Sequence, residues 1–257
     1  MAFLSKNIFG EYNFKKRWII RVFGLLIYPR YKWVNDTVIT GAEQLKDFQD
    51  KNVLFVSNHQ TYFGDVAAFL LAFHSALAGK PNKIYLPGIL NPKKDDIFYV
   101  AAEETMKSGL LPKILAISGA VTVKRTWRAN GENVRRKVDR SEVDNIDKAL
   151  LNGWVITFPQ GTTRPFVKGR VGTAFIIKKH KPLVVPIVID GLRRSFDKKG
   201  LMLKKKNSTI SIRIKKPIDI DYDGTVENML AQVMDGIEQT AEFDYMGGLK
   251  KENKTEV

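Results

Sequence analysis

Residues 53–77 read VLFVSNHQTYFGDVAAFLLAFHSAL, and they predict a buried strand, a polar turn and an apolar helix in succession. The strand is the apolar run 53–57, and the helix is expected from about Asp65 to Leu77, before Gly79 and Pro81. The turn between them, NHQTYFGD, contains most of the polar residues of the stretch. A strand that runs through a short turn into a helix is the repeating unit of an α/β fold.

The rest of the chain repeats this alternation. We predict an α/β fold in which a mostly parallel central sheet is flanked by helices and preceded by an amphipathic, membrane-facing helical segment. The expected units are a basic, aromatic leader over 1–34, one domain over 35–248 and a charged tail over 249–257. Further strands are expected at 84–90, 97–102, 120–125, 154–159, 182–189 and 208–218, and further helices at 109–117, 141–153 (with Ser141 as N-cap) and 225–241.

The charge of the chain indicates an anionic partner. It has 42 Lys and Arg against 27 Asp and Glu, a net charge of +15. Such a surface suits an anionic membrane, an acidic protein or a nucleic acid. No nucleic-acid recognition motif is found, so we expect no nucleic-acid partner. The chain has no cysteine, which excludes disulfides, a thiol nucleophile and a cysteine-based zinc site.

The leader has the composition of a helix at a membrane interface. Lys15 to Trp33 reads KKRWIIRVFGLLIYPRYKW, with an apolar stretch interrupted by Arg21 and closed by Pro29. This stretch is shorter than the roughly 20 residues that span a bilayer. We therefore predict a peripheral or monotopic protein on the cytoplasmic face of a membrane, in contact with anionic lipids. The alternative is an ordinary amphipathic helix packed on the domain.

Only three histidines are present, and His59 is the candidate general base. It follows the first strand, and Asp65 lies six positions on, where a carboxylate could fix its tautomer. The alternative is a surface turn in which Asp65 caps the helix. His74 is predicted to be a hydrogen-bonded core residue and His180 a cation at a helix end. No G-x-S-x-G or H-E-x-x-H pattern occurs, which argues against a serine hydrolase and a zinc site.

Two further polar clusters follow predicted strands, and the carboxyl ends of parallel strands are where sites collect. FPQGTTR, 158–164, offers Gly161, Thr162 and Arg164 as a candidate phosphate or oxyanion site. Lys168 follows, and Lys124 and Arg125 form a cationic pair after another strand. The alternative for each cluster is a solvated basic edge.

In order, these segments resemble the glycerolipid acyltransferase family, typified by 1-acylglycerol-3-phosphate acyltransferases. NHQTYFGD resembles the family block N-H-x-x-x-x-D, and VTVKR resembles a second block that ends in a basic residue. FPQGTTR resembles the block F-P-E-G-T-R, and VVPIVI resembles an apolar fourth block that contains proline. The four blocks span residues 58 to 189, about half of the chain.

The resemblance implies an acyltransferase without a metal or cofactor, whose co-substrate is acyl carrier protein or coenzyme A carrying the acyl group. His59 would be the base on a glycerol hydroxyl and Asp65 its orienting partner. The acceptor, most simply 1-acylglycerol-3-phosphate in phospholipid biosynthesis, would be bound by the residues that match the second and third blocks: Lys124, Arg125, Gln160, Gly161, Thr162, Thr163, Arg164 and Lys168.

Three departures from the family pattern leave other functions open. Five residues separate His59 from Asp65 where the family has four, so we expect a bulged turn near Gly64. Gln160 and Thr163 stand where the family has Glu and Arg. One alternative is therefore an acyltransferase for a lysolipid without phosphate, such as a lyso amino-acid lipid. The other is a catalytically inactive protein of the same fold that binds membranes or nucleic acid.

Overall fold

The computed structural model describes residues 5–124, 128–129, 132–133 and 140–244. Its central sheet has seven strands in the order β1-β9-β8-β2-β7-β3-β4. The five strands from β8 to β4 are parallel, whereas β9 pairs antiparallel with β8 and parallel with β1. The predicted α/β fold with a mostly parallel sheet is confirmed. The strands are β1 Asp36–Thr40, β2 Val53–Ser57, β3 Ile97–Ala102, β4 Ala120–Val123, β7 Trp154–Thr157, β8 Leu183–Asp190 and β9 Thr209–Ile214, and a separate pair consists of β5 Arg128–Ala129 and β6 Glu132–Asn133.

Helices cover both faces of the sheet. They are α1 Asn13–Lys32, α2 Gly64–Leu77, α3 Leu86–Leu90, α4 Glu103–Lys107, α5 Leu110–Ala116, α6 Arg140–Asn152, α7 Val171–His180, α8 Leu192–Ser195 and α9 Val226–Gly236, with 3-10 turns at Ala42–Asp47 and Ala241–Phe243.

Alternate residues of the central strands supply two cores. Phe55, Tyr99 and Ile156 pack on one face with the apolar side of α2, while Leu54 and Val155 face α6, α7 and α9. Side chains of a strand point to opposite faces with period two, so a strand that is apolar throughout must be covered on both sides. The continuous apolar runs of β2, β7 and β8 follow from this arrangement.

The amino-terminal helix α1 is partly embedded in the domain. Ile20, Gly24 and Tyr31 are buried against the α2 face, and Arg17 forms an ion pair with Asp95 at 2.5 Å. The opposite side of α1 leaves large apolar residues exposed. In the part of the chain that the structure describes, no helix combines the length and the apolar character that a membrane crossing requires.

Several predicted boundaries differ from the structure. The sequence predicts a strand at 84–90, but Leu86–Leu90 is a short helix with Pro87 in its first turn, where a missing N–H does no harm. Pro29, which closes the apolar stretch of the sequence, lies within α1, and the helix continues to Lys32. Helix α6 begins at Arg140, so Ser141 is not its cap. Strand β1 was missed, because a short edge strand with alternating exposure carries a weak apolar signal.

Candidate active site

His59 and Asp65 are in contact. The Nδ1 atom of His59 lies 2.9 Å from Oδ2 of Asp65, which is fully buried at the second position of α2. The same carboxylate accepts the backbone N–H of Thr61 at 2.7 Å and of Gln60 at 3.2 Å. A carboxylate accepts hydrogen bonds, so it selects the tautomer protonated on Nδ1. The other ring nitrogen, Nε2, is left unprotonated and can accept a proton.

The additional residue between His59 and Asp65 is accommodated by a bend that precedes α2. The backbone N–H of Tyr62 donates to the carbonyl of Lys198 at 3.1 Å, and that of Phe63 donates to Lys199 at 3.0 Å. The helix then begins at Gly64, so Asp65 faces back towards the imidazole. The predicted bulge is thus supported from outside, by a distant segment of the chain.

Two glycines make this support possible. Gly200 has a φ of +78°, and a Cβ there would lie 2.6 Å from the backbone nitrogen of Gly64. A Cβ on Gly64 would in turn lie 3.2 Å from the Gly200 carbonyl oxygen. Only residues without a side chain allow such an approach of two backbones without displacement.

Phe158 brings the FPQGTTR turn against His59. Its ring stacks on His59 with 4.1 Å between centroids and 25° between planes. The following residues form a β-turn in which Gly161 donates to the Phe158 carbonyl at 2.9 Å, with Pro159 at the second position. Gly161 has a φ of +61°, which glycine adopts without strain. Residues 161–164 are thereby placed beside the imidazole.

A cavity of about 1060 Å³ joins the two clusters, slightly above the range of about 300–1,000 Å³ that small-molecule sites occupy. One part of its wall is polar and contains His59 and the 161–164 turn. Apolar side chains of α1 and α2 form another part, among them Ile19, Phe23, Ile27, Val66 and Leu70. The cavity therefore suits an amphiphile with a polar end and an apolar chain.

The structure places most of the predicted binding residues on the cavity wall. Gly161, Thr162, Thr163, Arg164, Lys168 and Lys124 all line it, and Lys124 lies 3.9 Å from Glu142. Gln160 does not line the cavity. It is buried and donates to the carbonyl of Val167 at 3.0 Å and to the side chain of Gln239 at 3.1 Å. Arg125 lies outside the described residues.

Arg193 is a residue of the site that sequence analysis missed. Its guanidinium donates to the carbonyl of His59 at 3.1 Å and also to the carbonyl of Thr163. Burial lowers the pKa of Arg193, while the nearby charges of Asp65 and Asp190 oppose that effect. Arg193 thus links the turn that carries His59 to the FPQGTTR turn. No local motif could have revealed it, because it lies 134 residues from His59.

The other two histidines lie apart from this pair. His74 is buried in α2, as predicted, but neither ring nitrogen has a hydrogen-bond partner in the described chain. Burial, and then the charge of Lys16, lowers the pKa of His74 to about 4, so the ring is neutral near pH 7. His180 ends α7 and its Nε2 lies 2.6 Å from Asp147.

The chain is similar to known proteins at two levels, a protein family and a solved structure. The acyltransferase family matches residues 36–190 of the chain. Among solved structures, the crystal structure of the 1-acyl-sn-glycerophosphate (LPA) acyltransferase PlsC from Thermotoga maritima is similar, with a TM-score of 0.54 and 18% identity. The similarity covers 92% of this chain and 82% of that one, and at this identity it shows a shared fold. The comparison with curated proteins found no match.

Proposed function

The chain belongs to the acyltransferase family, and from that premise we propose that it transfers a fatty acyl group from a thioester to the hydroxyl of a lysolipid. The observation that carries the proposal is the 2.9 Å contact of His59 with a fully buried Asp65 beside an amphiphilic cavity. An imidazole oriented in this way is suited to general-base catalysis near neutral pH. An inactive binding protein would have no need of this contact.

In the proposed reaction, Nε2 of His59 takes the proton of the acceptor hydroxyl as its oxygen attacks the thioester carbonyl. The carbonyl becomes a tetrahedral oxyanion, and the C–S bond then breaks. The proton on Nε2 passes to the departing thiolate, which yields an ester and a thiol. Asp65 holds the Nδ1 proton throughout and stabilises the imidazolium electrostatically.

The cations near the 161–164 turn favour an acceptor with a phosphate, such as 1-acylglycerol-3-phosphate. Arg164 and Lys168 line the cavity and are exposed, and neither forms an ion pair within the described chain. The backbone N–H of Gly161 is occupied by the turn, whereas those of Thr162 and Thr163 find no acceptor in the described residues. These N–H groups and cations suit a phosphate or the reaction's oxyanion.

A lysolipid without phosphate is the second candidate acceptor. Thr163 removes a guanidinium that the family has in this turn, and its carbonyl instead accepts from Arg193. Gln160 is neutral and is used in binding the Val167 carbonyl and Gln239. A lyso amino-acid lipid would need less cationic charge at this position.

The experiment that tests the proposal is an acyl-transfer assay with thioesters of acyl carrier protein and of coenzyme A. Each donor is offered with 1-acylglycerol-3-phosphate and with a lyso amino-acid lipid of the same chain length. We expect turnover to prefer the phosphate-bearing acceptor. Preference for the phosphate-free acceptor would establish the second candidate. Arg164→Gln should raise KM for the phosphate-bearing acceptor more than for the other, because it removes a cation from the turn.

Membrane association belongs to the same proposal. Five large apolar residues are exposed along α1 and directly after it, and the last of them is 73% exposed. We call them the apolar stripe: Trp18, Val22, Leu25, Leu26 and Trp33. Spacings of three, four and seven residues place Trp18, Val22, Leu25 and Leu26 on one side of the helix. We propose that this stripe lies in the membrane interface, on the cytoplasmic face, where the lipid substrate enters the cavity beside α1.

A further inference from the structure

Residues 196–206, here the basic hairpin, form a well-defined projection next to the catalytic turn. Phe196 pairs with Leu203, and Asp197 donates its backbone N–H to Met202 at 2.9 Å. The Asp197 carboxylate accepts the backbone N–H groups of Leu201 and Met202 at 2.9 and 3.1 Å. These internal bonds hold the hairpin in shape.

The hairpin has a strong excess of positive charge on its surface. Five of its residues are exposed lysines, and none of them forms an ion pair within the described chain. Asp197 is the only acidic residue of the hairpin, and the backbone N–H groups of the tip occupy its carboxylate. The lysines are Lys198, Lys199, Lys204, Lys205 and Lys206.

The hairpin packs against the carboxyl end of α1. Tyr31 stacks on Phe196 with 5.3 Å between centroids, and Arg30 donates to the carbonyl of Leu201 at 3.2 Å. Lys198 and Leu201 line the same cavity as Arg30 and Ile27 of α1. Met202 is 66% exposed at the tip, so the hairpin adds an apolar contact to its cations.

We propose that the basic hairpin is a second membrane-binding element, which holds the headgroups of anionic lipids next to the cavity. An anionic bilayer surface would accept its lysines, and the interface below the headgroups would accept Met202. The hairpin contacts the carboxyl end of α1, the helix that carries the apolar stripe. This favours a membrane over an acidic protein, because a bilayer can receive both surfaces. This inference rests on the proposed function in one respect: acylation of a lipid is the reason that we expect the protein to bind a membrane.

The test measures binding of the full-length protein to vesicles of phosphatidylcholine alone and with phosphatidylglycerol. Each lysine near an anionic surface raises the affinity for that surface about fivefold. Replacing Lys204, Lys205 and Lys206 together by Ala should therefore weaken binding to anionic vesicles roughly 100-fold. The difference in affinity between the wild type and this variant should become smaller as the salt concentration is raised. The matched control replaces Lys46, Lys51 and Lys80, three exposed lysines at the other end of the sheet, and should bind nearly as the wild type does.

The outcomes separate this inference from the proposed function. Equal loss of binding in the hairpin and control variants would show that net charge alone determines vesicle binding, and it would overturn the inference. Normal vesicle binding with turnover lost only on acyl carrier protein thioesters would make the hairpin a protein-docking surface and overturn it as well. Selective loss of vesicle binding would support it even if no lysolipid were acylated. Turnover of a monomeric, short-chain acceptor should be unchanged in the hairpin variant.

Discussion

At the scale of single residues, Arg193 holds together two turns that the chain supplies from distant positions. Its guanidinium donates to backbone carbonyls of both turns and does not line the cavity. It is therefore a positioning residue. A planar guanidinium can hold two acceptors at fixed angles, which an ammonium group cannot do.

Replacing Arg193 by Met should lower kcat about 100-fold with little change in KM for the acceptor, since misplacing a base by about 1 Å can have an effect of that size. Arg193→Lys should recover only part of the loss, and added guanidinium ion should partly rescue a smaller Arg193→Gly variant. Steady-state kinetics of each purified variant provide the measurement. Arg194→Met is the matched control, because Arg194 pairs with Asp190 at the exposed surface. A rise in KM alone would contradict the positioning role.

The contact of His59 with Asp65 could be predicted from the sequence, but the residues that hold the pair in place could not. His59 and Asp65 stand in one short motif, so residue type and spacing point to them. The partners of that motif, Arg193 and Lys198, come from other segments, and only the folded sheet brings them near. For Gln160 the motif misleads. Its place in the motif predicts a contact with the substrate, but its side chain donates to Val167 and Gln239 instead.

At the scale of elements, the contact of Gly200 with Gly64 fixes where α2 begins. Gly200→Ala should destabilise the protein by about 2 kcal/mol or more, because it adds a steric clash to an unfavourable positive φ. The rate of acyl transfer should fall as well. Gly79→Ala separates the steric clash from the cost of the positive φ, since Gly79 has a φ of +80° and nothing lies within 4 Å of a Cβ there. Equal losses of stability in the two variants, measured by denaturant unfolding, would contradict the importance of the contact.

Helix α2 also buries a histidine whose titration should limit stability in acid. The folded-state pKa of His74 is lowered to about 4, so the unfolded chain binds its proton more tightly. The contribution of the neutral ring to the free energy of unfolding is fully present above about pH 6.5 and is lost as the pH falls towards 4. His74→Leu should therefore reduce the stability difference between pH 7 and pH 5 by about 2 kcal/mol. Urea unfolding of both proteins at the two pH values measures it, and an unchanged difference would contradict the burial of a neutral ring.

The elements themselves could be predicted where apolar runs are long. Strands β2, β3, β7 and β8 follow from apolar runs that suit burial on both faces of the sheet. Residues 84–90 were misassigned because a short apolar run does not distinguish a strand from a buried helix, and there the proline decides. The order of the strands could not be predicted, since it depends on contacts between distant segments.

At the scale of the whole molecule, α1 belongs both to the core and to the surface. Deleting residues 1–34 would remove Ile20 and Tyr31 from the core as well as the apolar stripe, so a deletion cannot isolate membrane contact. Replacing Trp18, Leu25 and Leu26 by Ser leaves the buried side intact. We expect this variant to bind vesicles at least about tenfold more weakly in a sedimentation assay, because less apolar surface enters the interface.

The control for the stripe is Leu151→Ser on α6, which changes a half-exposed leucine elsewhere. It should bind vesicles as the wild type does. Unchanged binding of the stripe variant would show that the membrane contact lies elsewhere on the molecule.

We propose that His59, oriented by Asp65, is the base for acyl transfer. The most direct test compares wild type, His59→Ala and Asp65→Asn in the same thioester assay, after circular dichroism has shown that each is folded. We predict a loss of at least about 1000-fold in kcat for His59→Ala. Asp65→Asn should also be strongly impaired, because an amide can hold the wrong tautomer. Full activity in a folded His59→Ala protein would contradict the account.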